Sequence, residues 1–120
     1  MKRYLLAVPA AMLAFAALTI AVQQSFTRHG FGGPDLMPLW LGGRALLFER
    51  VSPYSSVVTL RSQEAILGRL AAPGADQYAF AYPLIALIPA LPLFFLPFDG
   101  AQAVWLVASM MVTVVATIGP

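Results

Sequence analysis

The sequence has no cysteine, so disulfides and thiolate metal sites are excluded and the redox compartment cannot be read from it. It has a single histidine, His29, and one imidazole makes no metal cluster, so a solvated loop residue accounts for it. Charge is scarce: 10% of the 120 residues are Asp, Glu, Lys or Arg, against about 25% in an ordinary soluble domain. The net charge is +2 and no basic run supports nucleic-acid binding. A phosphate-binding glycine loop, a nucleophile elbow and a metal-ligand pair at helical spacing are all missing, so no cofactor and no metal are expected. There is no internal repeat and no low-complexity segment.

What is abundant is apolar surface. Hydrophobic residues make up 60% of the chain, more than one soluble core of this size could bury. Lipid is the natural solvent for such a sequence, and membrane lipids are its first expected partners. After Met1-Lys2-Arg3, residues 4–22 are apolar and uncharged, close to the ~20 residues that span a bilayer. The run is longer than a signal-peptide core of ~7–15 residues and no small-x-small cleavage site closes it. It reads as a first transmembrane helix with Pro9 near its start.

Between residues 23 and 77 the texture changes, since this stretch holds five of the seven basic and four of the five acidic residues. Gly30, Gly32, Gly33 and Pro34 mark a flexible entry. Asp35 stands where a helix N-cap would, and Pro38 falls in the first turn. Residues 36–48 form a Leu-rich helix containing Trp40, lying on the membrane surface or packed under the loop. Pro53 ends it. Leu60, Ile66, Leu67 and Leu70, set among Arg61, Gln63, Glu64 and Arg69, suit a second short amphipathic helix stopped at Pro73-Gly74.

Residues 78–98 are again apolar and long enough to span, but Pro89 and Pro92 fall inside and kink the helix. Residues 97–100 read as a tight turn. The last span, 101–118, carries Trp105 as an interface anchor and small or hydroxyl residues suited to close packing against protein partners. The expected fold is an all-α membrane protein with about three transmembrane helices and a large extramembrane loop containing short amphipathic helices. Its parts are 1–26 (first transmembrane helix), 27–77 (loop), 78–98 (proline-kinked second helix) and 99–120 (third). Lys2 and Arg3 favour a cytoplasmic amino terminus, but Arg28, Arg44, Arg50, Arg61 and Arg69 favour a cytoplasmic loop, so the charge count leaves orientation undecided. The end at Gly119-Pro120, directly after an apolar span, reads as a boundary inside a larger protein.

Three short motifs carry a resemblance. The order Asp35-Leu36-x-x-x-Trp40-x-x-Gly43-Arg44-Ala45-Leu46, then Ser52-Pro53-Tyr54, then Phe80-Ala81-Tyr82-Pro83 is similar to the amino-terminal region of bacterial GT-C-fold glycosyltransferases, more narrowly those that use polyprenyl-phosphate mannose as donor. The proline-rich segment, the Leu-Pro-Phe turn and the span with Trp105 follow as in that family, so the resemblance covers about residues 1–118. It implies a multi-pass protein of the bacterial plasma membrane with loop 27–77 extracytoplasmic. It further implies that Asp35 is a general base for the acceptor hydroxyl. Arg44, with Arg50 as a second candidate, would meet the donor phosphate, and Trp40 and Tyr54 would line the sugar or lipid groove. Complete members have many more spans, so these residues alone are not expected to catalyse transfer.

Plainer roles stand beside these. Asp35 can cap the helix it heads, Arg44 can snorkel to headgroups, Trp40 and Tyr82 can anchor at the interface, and Tyr54 can pack in a turn. The rival to the enzyme is a small accessory subunit packed within a larger membrane complex. A transporter fragment fits less well, because no charged residue lies inside a span.

Overall fold

The computed structural model describes residues 2–28 and 35–119. It is all-helical, with no strand among the described residues. The chain divides into two compact units, Met1–Gly32 with Asp99–Pro120, and Gly33–Phe98. The glycine-rich entry at 30–34 and His29 lie outside the described residues.

The first unit holds two long apolar helices. Helix α1 (Lys2–Val22) runs on through a π-helical turn, Gln23–Thr27, and none of the residues Lys2–Val22 is buried. At 1.5 Å per residue α1 alone is about 32 Å long, matching the ~30 Å hydrocarbon layer. Helix α5 (Phe98–Ile118) starts one residue after Pro97, a start that suits proline because the first N–H groups of a helix have no partner to lose. Asp99 and Gly100 thus lie inside a helix where the composition suggests a tight turn. Asp99 falls in the first turn, where the helix dipole favours an acid. Gly100, Ala101, Gln102, Ala103 and Val107 are buried, whereas residues 109–119 are exposed. The two threonine hydroxyls in this exposed half are satisfied within the helix, Thr113 donating to the Ser109 carbonyl at 2.9 Å and Thr117 to the Thr113 carbonyl at 2.7 Å.

A polar clamp joins the end of α1 to the head of α5. Gln23 Nε2 donates to Asp99 Oδ2 at 3.0 Å, and Thr27 Oγ1 donates to the Asp99 carbonyl at 2.8 Å. Further along, an apolar groove is lined by Val8, Met12 and Phe15 of α1 with Met111 of α5. The two helices therefore run antiparallel.

The second unit is built on helix α2 (Leu36–Arg44), extended by a π-helical turn, Ala45–Glu49. Pro38 sits in the first turn of α2, and Leu36, Met37, Leu39 and Ala45 are all at most 5% exposed. Gly42 and Gly43 each weaken a helix by ~0.5–1 kcal/mol relative to Ala. Here they bring two rings onto the backbone: a Cβ on Gly42 would lie 2.6 Å from Phe80 Cδ2, and one on Gly43 only 2.1 Å from Phe94 Cζ. Burying each phenyl ring contributes roughly 1.5–3 kcal/mol, which outweighs the glycine cost. Arg50 ends the helix in the left-handed region (φ 55°), with the Val51 N–H bonding back to the Ala45 carbonyl at 3.0 Å.

Helix α3 (Ser56–Leu67) begins four residues before the expected amphipathic stretch and stops at Gly68, which is left-handed (φ 69°). Its buried residues are Val58, Ser62 and Gln63, whereas Leu60, Leu67 and Leu70 are exposed. The apolar stripe legible in the sequence is therefore not the one packed inward. Gln63 decides the register. Its Oε1 accepts from the Ala71 N–H at 2.9 Å, and its Nε2 donates to the carbonyl and the side chain of Gln77 at 3.0 and 3.2 Å. A buried amide that satisfies three groups of the following loop holds the helix in place more specifically than a leucine could.

The expected second span, 78–98, is not one membrane-length helix. After extended Pro83 the chain makes a 3₁₀ turn (Leu84–Ala86), a single α-turn α4 (Leu87–Ala90) and a second 3₁₀ turn (Leu91–Phe95). Pro89 and Pro92 remove i→i−4 hydrogen bonds from a run of about twelve residues, so it breaks into tight turns. Two described helices, not three, are long and apolar enough to cross a membrane: Lys2–Thr27 and Phe98–Ile118.

Candidate functional site

Asp35 occupies the N-cap position of α2, but with helical dihedral angles (φ −66°, ψ −33°) and no side-chain cap hydrogen bond. A capping carboxylate needs an extended backbone to turn back onto the N2 and N3 amides, and this geometry prevents it. The residue is exposed, and its carboxylate has no hydrogen-bond partner among the described residues. Its backbone is nevertheless fixed, because Tyr82 Oη donates to the Asp35 carbonyl at 3.2 Å. Tyr54 Oη donates in turn to the Tyr82 carbonyl. The Phe80 ring lies between the two tyrosines, edge-on to Tyr54 at 5.1 Å and to Tyr82 at 5.6 Å. Of the sequence candidates, Tyr82 thus meets Asp35 at the amino-terminal end of α2, and Tyr54 is linked to them through the Tyr82 carbonyl.

Trp40 and Arg44 stand apart from them, one turn from each other on α2. Trp40 Nε1 donates to the carbonyls of Leu93 and Leu96, both at 3.2 Å, and its ring meets Phe98 edge-on at 5.3 Å. Arg44 Nη1 donates to the Phe94 carbonyl at 2.6 Å, and the guanidinium sits over the rings of Trp40 (4.8 Å) and Phe48 (5.1 Å). The second 3₁₀ turn ends at Phe95 before extended Leu96, whose N–H closes the turn on the Leu93 carbonyl, so the Phe94 carbonyl has no helical continuation to serve it. Two side chains of α2 take that place. A charge-assisted bond of this kind contributes about 1.5–3 kcal/mol, and stacking on the indole adds ~0.5–2 kcal/mol.

This geometry separates two groups of residues that the sequence presents as one constellation. Nine residues of helix set Asp35 and Arg44 about 14 Å apart along the axis. A sugar phosphate and its acceptor hydroxyl meet within a few ångströms, so Arg44 would have to leave the Phe94 carbonyl to serve the same reacting centre. Arg50 is exposed in its left-handed turn. No cluster of His, Asp or Glu that could hold a metal exists among the described residues.

Sequence reading misses the residues that shape this unit: the Gly42-Gly43 pair, Phe94, and Gln63. The glycines are the available signal, because two adjacent glycines in a Leu-rich helix ask for something lying against the backbone.

The fold and the site define a class and no more: an all-helical chain with two helices of membrane-crossing length and a compact helical unit between them in sequence. Comparison with protein-family models, with curated proteins and with solved structures gives no match.

Proposed function

We propose that the chain is the amino-terminal membrane portion of a bacterial glycosyltransferase that moves a sugar, mannose by resemblance, from a polyprenyl-phosphate donor to an envelope acceptor. In this reading Asp35 is the general base. The acceptor oxygen attacks the anomeric carbon while Asp35 takes the hydroxyl proton, and the bond to phosphate breaks with its electron pair leaving on polyprenyl phosphate.

The observation that carries the reading is the state of Asp35. It heads a buried helix, its backbone is held by Tyr82, and its carboxylate is left unused by the helix it could have capped. A carboxylate on a fixed backbone, with no hydrogen-bond partner among the described residues, remains available to accept a proton. Tyr82 supplies aromatic surface beside it, with Tyr54 bonded to the Tyr82 carbonyl, the usual kind of platform for a sugar ring. Trp40 and Arg44 then serve the scaffold that positions α2.

The test is transfer from labelled polyprenyl-phosphate mannose in native membranes carrying the protein or its variants. Asp35→Asn should lower transfer by about 10²–10⁴-fold, the usual contribution of a general base, with unchanged abundance in the membrane. Asp35→Glu should retain part of the activity. Full transfer by Asp35→Asn excludes the general-base role.

A second reading is favoured by one observation: helix α1 buries none of its residues. A small subunit packed in a larger membrane complex would cover such a helix with protein. That reading predicts co-purification with partners in fixed stoichiometry and indifference to Asp35→Asn.

A further inference from the structure

The proline-rich run Leu84–Phe95 presents two unlike faces. Leu87, Ala90, Leu93 and Phe94 are buried, at most 8% exposed. Leu84, Ile85, Ile88, Leu91 and Phe95 lie along the other face, and Ile85, Ile88 and Phe95 are 71%, 70% and 65% exposed. Phe48 extends this face, its ring edge-on to Phe95 at 5.6 Å and half exposed. The chain has no Asp, Glu, Lys or Arg anywhere between Asp76 and Asp99. Apolar side chains this large and this contiguous are not left in water by a stable protein.

From these features we infer that this face is a membrane-inserted surface that enters one leaflet without crossing the bilayer, and that its partner is lipid. The inference rests on reading α5 as a membrane-crossing helix. Only Leu96 and Pro97 separate Phe95 from the start of α5, and the three residue steps from Phe95 to Phe98 span at most about 11 Å. A face that ends there is held at the boundary where α5 enters lipid. Twelve residues, partly in 3₁₀ turns of ~2 Å rise, reach about 18–24 Å, short of the ~30 Å needed to cross. Short apolar segments of this length adjoining a span lie in the interface or dip into one leaflet. The carbonyl caps from Trp40 and Arg44 make that position tolerable, because they remove unpaired backbone groups at the end of the run that lipid could not solvate.

The absence of cysteine permits a direct test with single-cysteine variants carrying a nitroxide. The protein is reconstituted in vesicles of phosphatidylethanolamine and phosphatidylglycerol, and each label's collision with oxygen and with a water-soluble nickel chelate is measured. Labels on Ile85→Cys, Ile88→Cys and Phe95→Cys should favour oxygen at a depth between the headgroups and the bilayer centre. Labels on Leu13→Cys in α1 and Val112→Cys in α5 should be the deepest, and a label on Glu64→Cys should favour the chelate. Chelate access at positions 85 and 88, with 13 and 112 still deep, overturns the inference and leaves the spans intact. Shielding from both reagents at 85 and 88 means a protein partner and also overturns it. Depth that passes through the bilayer centre between 84 and 95 means a third crossing and overturns it as well. Chelate access at 13 and 112 instead defeats the reading of the spans themselves.

Discussion

A methyl group on Gly43 would meet three atoms of the Phe94 ring at 2.1–2.5 Å, and both partners are buried, so neither can turn aside. Gly43→Ala is therefore expected to lower stability by about 1–3 kcal/mol, the usual range for overpacking, despite the better helix propensity of alanine. Thermal unfolding in detergent or lipid reads this directly, and a Tm at or above that of the parent would contradict the contact. Arg44→Met tests the carbonyl caps: it keeps an apolar stem but leaves the Phe94 carbonyl unpaired, which costs about 1–3 kcal/mol. Sugar transfer by Arg44→Met should fall only in proportion to folded protein, since the guanidinium serves the scaffold. A rise in KM for the donor with stability unchanged would instead return Arg44 to the donor phosphate. None of this is legible in the sequence. A tryptophan and an arginine one helical turn apart look the same whether they face a sugar phosphate or the last carbonyls of another segment.

Elements are legible in proportion to their independence from tertiary contacts. Helices α1 and α5 are legible because each is an uninterrupted apolar run long enough to cross a membrane, a property read directly from the sequence. Helix α2 is legible almost to the residue, since Leu periodicity, the early proline and the Pro53 stop all agree. The register of helix α3 is not legible, because composition marks leucines as core whereas the inward positions are set by Gln63 and its partners in the loop. Removing that amide should loosen the loop more than the helix. Gln63→Ala is expected to speed hydrogen exchange at the Ala71 amide by about 5–150-fold, equivalent to ~1–3 kcal/mol for the lost bonds, with α3 itself still protected. Unchanged exchange at Ala71 would show that the loop is held by something else. The run 78–98 reads as a span because hydropathy counts apolar residues and not hydrogen bonds. Two prolines three residues apart break it into short turns, so it forms no single helix of membrane-crossing length.

At the scale of the whole molecule, two helices are long and apolar enough to cross a membrane, and in a chain that does so the number of crossings decides on which side everything lies. The antiparallel clamp between Gln23 and Thr27 at the end of α1 and Asp99 at the head of α5 suits two crossings with all of the intervening chain on one side. Three crossings would put the chain after α5 on the same side as the loop that follows α1. The glycosyltransferase reading needs Asp35 outside the cytoplasm, which says nothing about the number of crossings but adds a direction to the two-crossing prediction.

The measurement that tests this architecture most directly is side-specific labelling of Glu64→Cys and Gly119→Cys in intact bacterial cells with a membrane-impermeant maleimide. Neither variant competes with a native thiol, because the chain has none. Two crossings with the intervening chain outside predict that position 64 is labelled from outside and position 119 only after the cells are opened. Labelling of both positions on the same side of the membrane would contradict it.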